Sequence, residues 1–291
     1  MNGEVEGFEI VQTQDGESTG AGRDGQDLGD SIVEVERADG QEEEEEEEEV
    51  PQLVIVDSEG AERKVDVNSA DYLASALTFK DDRLLDADKN GVMMAWETDI
   101  MQRSVDALIP EGAKGKPGPR ILNVGHGMGI IDTIFQSKSP ATHHIIEAHP
   151  SVLERMRKDG WFEKAGVVVH EGRWQDIVPK LVAENQVFDA IYFDTFAEEY
   201  KALKDFFGEY VIGLLDQSGR FGFFNGLGAD RQVCYDVYTK IVEMDLFEAG
   251  LDTDWEDIAI PDLEEKGEWE GVRRRYWALD KYRMPTCKFV G

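Results

Sequence analysis

Two cysteines in 291 residues, Cys234 and Cys287, are too few for a disulfide framework and have no metal-ligand spacing. Basic residues are scarce as well. Against 62 Asp and Glu stand 30 Lys and Arg, a formal net charge of -32, which argues against nucleic acid or an anionic membrane surface as a partner. No basic start leads into an apolar run, and no apolar stretch approaches the roughly 20 residues of a membrane span. Together these absences predict a soluble intracellular protein without a bound metal.

The acidic excess is unevenly spread. Residues 1–50 hold 19 acidic and 2 basic side chains, net -17, and end in the run Glu42 to Glu49, which leaves -15 for the other 241 residues. A segment so poor in aromatic residues buries too little apolar area to offset its ordering entropy, so residues 1–50 are expected to form a disordered tail. A second region, 51–119, reads as a hairpin over 52–67, a helix over 69–79, a polar loop over 80–91 and a helix over 92–109. "GAKGKPGP" then breaks the chain at 112–119.

Residues 120–291 alternate. Strands are expected at 120–125, 143–148, 167–171, 188–194 and 219–225, with helices at 129–137, 150–158, 174–184, 200–215 and 231–247. This alternation predicts a mostly parallel, doubly wound α/β sheet with right-handed crossovers. The runs 252–261 and 272–283 read as two strands without an intervening helix, an antiparallel hairpin closing the sheet.

In such a sheet ligands bind beyond the carboxyl ends of the strands. There stands 121-ILNVGHGMGI-130, where Gly125 permits a tight turn, Gly127 a close backbone approach and Gly129 the start of a helix whose amides can donate to a ligand. Glu147, 22 residues after Gly125, is placed to accept the hydroxyls of a ribose, so the turn and the acid together suggest a nucleoside. A dinucleotide and an adenosyl cofactor both remain open at this point. Asp194 ends the fourth strand at the same rim, and 96-WETDIM-101 sets Glu97 and Met101 one helical turn apart. Two converging carboxylates match a planar guanidinium and can take its proton. Glu97 could equally form a surface ion pair, and Trp174 of 172-GRWQD-176 could face a purine or pack a helix start. His126 and His149 lie near the expected ligand, while His143, His144 and His170 read as packing or rim residues.

"VMMAWETDIM", "NVGHGMGIID", "IIEAHP", "GRWQD" and "IYFDTFAEEY", in this order, resemble the fungal and plant protein arginine N-methyltransferase 2 family, from about Leu53 to the C-terminus. That family is similar in turn to guanidinoacetate N-methyltransferase. The resemblance implies a class I S-adenosylmethionine-dependent methyltransferase fold, Rossmann-like, with a seven-stranded sheet. The activity it implies is methylation of the internal δ-nitrogen of arginine in a protein, with a basic ribosomal protein as the implied substrate. The expected location is cytoplasm and nucleus, and the oligomeric state is left open, with a monomer favoured. The resemblance assigns Gly125, His126, Gly127, Met128, Gly129 and Ile130 to the methionine portion of S-adenosylmethionine, and Glu147, Ala148 and His149 to its ribose. Trp174 and Gln175 would flank the adenine, Tyr72 and Met101 would close over the cofactor, and Glu97 and Asp194 would grip the guanidinium. A small-molecule guanidinoacetate-type enzyme and a non-catalytic adaptor are the alternative expectations. "EAHP" and "MMAWE" favour protein arginine, and retention of both acids counts against an adaptor.

Overall fold

The computed structural model describes residues 69–80, 82–110 and 117–291. The expected tail at 1–50 and hairpin at 52–67 lie outside them. In chain order come α1 (Ser69–Ala74), β1 (Thr78–Lys80), β2 (Arg83–Leu85), β3 (Gly91–Met94), a 3₁₀ turn at Ala95–Glu97 and α2 (Thr98–Leu108). There follow β4 (Arg120–Val124), α3 (Ile130–Ser137), β5 (Thr142–Glu147), α4 (Pro150–Lys158), β6 (Val167–Glu171), α5 (Trp174–Ala183) and β7 (Phe188–Phe193). Then α6 (Tyr200–Asp205) runs through a π segment at Phe206–Val211 into α7 (Ile212–Leu214), followed by β8 (Leu215–Phe223), α8 (Gln232–Glu248), β9 (Leu251–Ala259) and β10 (Lys281–Phe289).

Seven strands form one sheet in the order β6-β5-β4-β7-β8-β10-β9. The first five are parallel, and β10 inserts antiparallel between β8 and β9. That strand order is the class I methyltransferase fold anticipated from the sequence. Strand order reverses between β4 and β7, whose carboxyl ends are therefore where a ligand crevice opens.

The strands stack this way because their apolar runs bury both faces. Leu122 and Val124 of β4, with Ile191 and Phe193 of β7, enter one core with Val178 and Leu181 of α5, Phe206, and Val242 and Leu246 of α8. Their neighbours Ile121, Ala190 and Tyr192 face the other side, against Met101, Val105 and Leu108 of α2 and Phe135 of α3. The two-residue period of a strand thus divides its side chains between two helical layers.

Four boundaries differ from the sequence expectation. The expected polar loop at 80–91 contains β2, which pairs antiparallel with β1 and β3 in a separate three-stranded sheet. Its one fully buried residue, Leu84, is hidden among charges, and three residues are too few to show a period. The expected helix at 69–79 stops at Ala74, where Ser75 bonds back to the Tyr72 carbonyl. The expected helix at 92–109 begins only at Ala95, because Val92, Met93 and Met94 belong to β3; a short apolar run fits either state. The last strand is 281–289 and not 272–283. The aromatic run Tyr276-Trp277 is a connection packed into the core, while Pro285, which reads against a strand, sits inside β10 opposite Trp255.

Phe206 is fully buried between both flanks of the first core. Phe206→Ala is expected to cost about 3–5 kcal/mol, read as a lowered denaturant midpoint at unchanged slope.

Candidate active site

β4 ends at Val124, and the chain turns at once through Gly125, Gly127 and Gly129, all at positive φ (95°, 55° and 72°). The first of these is sterically forced. A Cβ on Gly125 would lie 1.9 Å from the backbone carbonyl oxygen of Asp194, so the first turn and the end of β7 touch backbone to backbone. On Gly127 a Cβ would meet the end of the Met93 side chain at 2.8 Å. Gly129 is the left-handed N-cap of α3.

Beneath this turn lies a buried polar network. Asp132, in the first turn of α3, accepts from Asn123 Nδ2 at 2.9 Å and is 2.6 Å from His126 Nδ1 and 2.9 Å from His143 Nε2. Burial alone would push Asp132 up, but His126 and His143 hold it at about 2. The His126 ring is thereby drawn under the turn, edge-on to Trp161, instead of facing the ligand as expected from the sequence.

Glu147 closes β5. Its Oε2 accepts from the amides of His126 at 2.9 Å and Gly127 at 3.3 Å, and its Oε1 from the amide of His149 at 2.7 Å. One carboxylate therefore ties the glycine turn to the next strand, and three of its roughly four acceptor positions are taken by backbone. His149 caps α4: its Nδ1 accepts from the Ser151 amide, which leaves Nε2 to donate to the Tyr72 carbonyl at 3.0 Å. Burial lowers the pKa of His149, consistent with that neutral form. The ring also packs against Tyr72 at 4.7 Å and so docks α1.

These elements surround a cavity of about 260 Å³. Tyr72, Gly125, Gly127, Glu147, Ala148, Trp174, Gln175, Glu97 and Asp194 all line it. Six of the expected residues do not. His126 and His149 are held in the contacts just described, Met128 and Ile130 pack partly buried against the second core, and Met101 is fully buried there. Met101 cannot close over a ligand because its face of α2 points into the sheet. Gly129 supports the turn from its cap position. Trp174 does both things the sequence left open: it lines the cavity and packs edge-on against Phe193 and Phe206.

The two acids meet here. Glu97 is 2% exposed, and its Oε1 accepts from the Met94 amide at 2.9 Å and from the Tyr276 hydroxyl. Asp194 Oδ2 is buried with no partner among the described residues. Burial first, and then the charge of Asp194, raises Glu97 to about 8; burial first, and then the charge of Asp132, raises Asp194 to about 7. Two carboxylates forced toward their neutral forms beside one cavity are a site that a cation would complete.

Among the lining residues that escaped the sequence reading, two bond directly to expected ones. Glu198 accepts from Trp174 Nε1 at 3.0 Å and Gln175 Nε2 at 2.8 Å; it lay within the motif "FAEEY" with nothing to single it out. Tyr276 lay in a stretch expected to be a strand, and no local signal points it toward Glu97 across 179 residues.

Residues 60–281 match the family model described as guanidinoacetate N-methyltransferase. The chain belongs to the guanidinoacetate N-methyltransferase family. It is 53% identical over 295 residues to Protein arginine N-methyltransferase 2 of Aspergillus fumigatus, covering 98% of this chain and 65% of that protein. Protein arginine N-methyltransferase 2 of Emericella nidulans is 59% identical over 245 residues, covering 83% and 56%. The chain thus spans about three fifths of the length of these relatives, and the family resemblance read from the motifs is borne out. Among solved structures, a putative caffeoyl-CoA O-methyltransferase from Staphylococcus aureus matches with a TM-score of 0.45 at 15% identity, covering 68% of this chain and 86% of that one.

The residues present in this guanidinoacetate N-methyltransferase family site fit S-adenosylmethionine. The glycine turn brings backbone to the cavity wall at Gly125 and Gly127, Glu147 keeps one acceptor position at the end of β5, and Gln175 Oε1 is a buried acceptor without a partner among the described residues that suits the amino group of a purine. The two clashes separate backbone from side-chain relief. Gly125→Ala, which meets an immovable carbonyl, is expected to weaken S-adenosylmethionine binding by about a hundredfold, and Gly127→Ala, which meets a movable methionine, by about tenfold or less. Isothermal titration of both variants checks the order; equal losses would contradict it.

Proposed function

We propose that this chain carries the catalytic part of an S-adenosylmethionine-dependent methyltransferase acting on the internal δ-nitrogen of arginine in a basic protein, of the ribosomal kind that the family resemblance implies. The observation that carries the reading is the buried pair Glu97 and Asp194 on one cavity with the glycine turn. Bound S-adenosylmethionine would supply an electrophilic methyl group on a sulfonium. Everything else falls to the chain. Glu147, Trp174 and Gln175 would hold the nucleoside, and the turn at Gly125–Gly127 its methionine end.

A charged guanidinium has no free lone pair and a pKa above about 12, so a nitrogen becomes nucleophilic only as its proton leaves. Glu97 and Asp194 would orient the planar group, localise its charge and accept that proton in a site sheltered from water. Alignment and charge compensation are the main contributions expected of the protein.

The lining also bears on the substrate. Among the described residues, five carboxylates, Glu97, Glu147, Asp194, Glu198 and Glu199, face the cavity with one cation, the exposed Arg173. Guanidinoacetate would bring its own carboxylate into that field, whereas an arginine side chain brings none. This favours protein arginine over the small molecule. A basic substrate would also be drawn to the acidic surface, so KM for it is expected to rise strongly with salt; a flat KM from low to high salt would remove that attraction from the account.

The decisive assay supplies labelled S-adenosylmethionine with basic ribosomal proteins or with guanidinoacetate and locates the methylated nitrogen by mass spectrometry. Label on the δ-nitrogen of protein arginine is expected; normal cofactor binding with no transfer to any guanidine would favour an adaptor. Glu97→Gln and Asp194→Asn are each expected to lower kcat/KM by about 10²–10³-fold, and full activity in Asp194→Asn would remove its role. The pH dependence follows from the raised acids. Binding a guanidinium requires them ionised, so kcat/KM should climb as pH passes about 7 to about 8 and level off above.

A further inference from the structure

Glu97 is held from two sides. From its own element the Met94 amide reaches Oε1, and from the far end of the chain the Tyr276 hydroxyl reaches the same atom. Both protein donors converge on Oε1, which leaves Oε2 as the oxygen for a ligand. Tyr276 itself lines the cavity.

The tyrosine is placed by the connection between β9 and β10, which clamps onto the three-stranded sheet. Arg83 donates to the carbonyls of Glu270 at 2.5 Å and Gly267 at 2.8 Å, Arg273 Nε donates to Asn90 Oδ1 at 3.1 Å, and the Arg273 amide donates to the Lys89 carbonyl at 2.9 Å. Its ring stacks on Trp96 at 6.0 Å and meets Trp269 edge-on at 5.2 Å. A Cβ on Gly91 would come within 2.9 Å of the ring, so β3 passes it only as glycine. A side chain this firmly seated, with its one polar atom on a candidate catalytic acid, does more than fill space.

We propose that Tyr276 is a positioning residue that fixes the rotamer of Glu97 and favours its anion, so that Glu97 meets the guanidinium with Oε2. The inference rests on the methyltransferase reading for its consequence, and on the geometry alone for the pairing. A hydroxyl donating to a carboxylate favours the anion. Opposing it are burial and then the charge of Asp194, just past β7; Tyr192 of β7 and Tyr282 of β10 also face Glu97 and are themselves raised by its charge, so they stay neutral. Without the hydroxyl, Glu97 would keep its proton to higher pH and swing free at Oε1.

Tyr276→Phe keeps the ring and its stacking and removes only the donor. In the ligand-free protein, carbon NMR of the Glu97 carboxyl, assigned by its loss in Glu97→Gln, should show titration displaced upward by about one pH unit, a tenfold change in the ionisation constant. In turnover, kcat/KM at pH 7 should fall about tenfold and its rising limb should move up by the same amount. In the Glu97→Gln background the same change should cost less than about twofold, since the two act as one unit. Unmoved titration, or an equal loss in both backgrounds, would overturn the proposal; unfolding midpoints show whether each variant is folded. Displaced titration in a protein that methylates no guanidine would leave the pairing standing and sink the methyltransferase reading instead.

Discussion

The site depends on one close approach, that of Gly125 to the carbonyl of Asp194. At 1.9 Å from where a Cβ would stand, this contact lets β4 and β7 end in the same crevice with backbone against backbone. The turn that would cradle a methyl donor and the acid that would take a substrate's proton are therefore parts of one rigid object. Methyl transfer asks for such rigidity, because a displacement of an ångström between reactants costs about a hundredfold in rate.

Around that contact, electrostatics are arranged in two layers that share a carboxylate chemistry but differ in state. Below the turn Asp132 is ionised, held down by His126 and His143, and it shapes the loop. Above it Asp194 and Glu97 are pushed the other way by burial. The difference is what stands against each acid: two histidines at Asp132, and at Glu97 only the neutral Met94 amide and Tyr276 hydroxyl beside the charge of Asp194. Asp132 has its own partners, while Asp194 Oδ2 has none among the described residues and so is tuned for a cation that arrives from outside. The charge of Asp132 raises Asp194 further, which links the layers.

Glu147 shows how one acid can serve structure and ligand together. Its bonds to the amides of His126, Gly127 and His149 preform the side of the crevice proposed for the nucleoside, so the loop conformation would not need to be induced by a ligand. The second wall is less local. Glu198 arranges Trp174 and Gln175, and the β9–β10 connection brings Tyr276 to Glu97 from the other end of the chain.

The sequence by itself determined the strand and helix alternation after residue 120, the glycine turn, and the acids at strand ends. It could do so because these are short-range matters: a two-residue apolar period, positive φ at Gly125, Gly127 and Gly129, and a carboxylate at the end of a buried strand or one residue past it. It also carried the family, since five motifs in fixed order are specific in a way that no single one is. Only the tertiary structure decided the rest. It set Met101 and His126 facing away from the cavity, because helix packing and the Asp132 network outrank spacing along the chain. It placed β2 inside a charged loop and moved the last strand to 281–289, because core packing claimed Tyr276 and Trp277. And it joined Glu97 to Tyr276, since a hydrogen bond between residues 179 apart leaves no period or motif in the sequence for a reader to find.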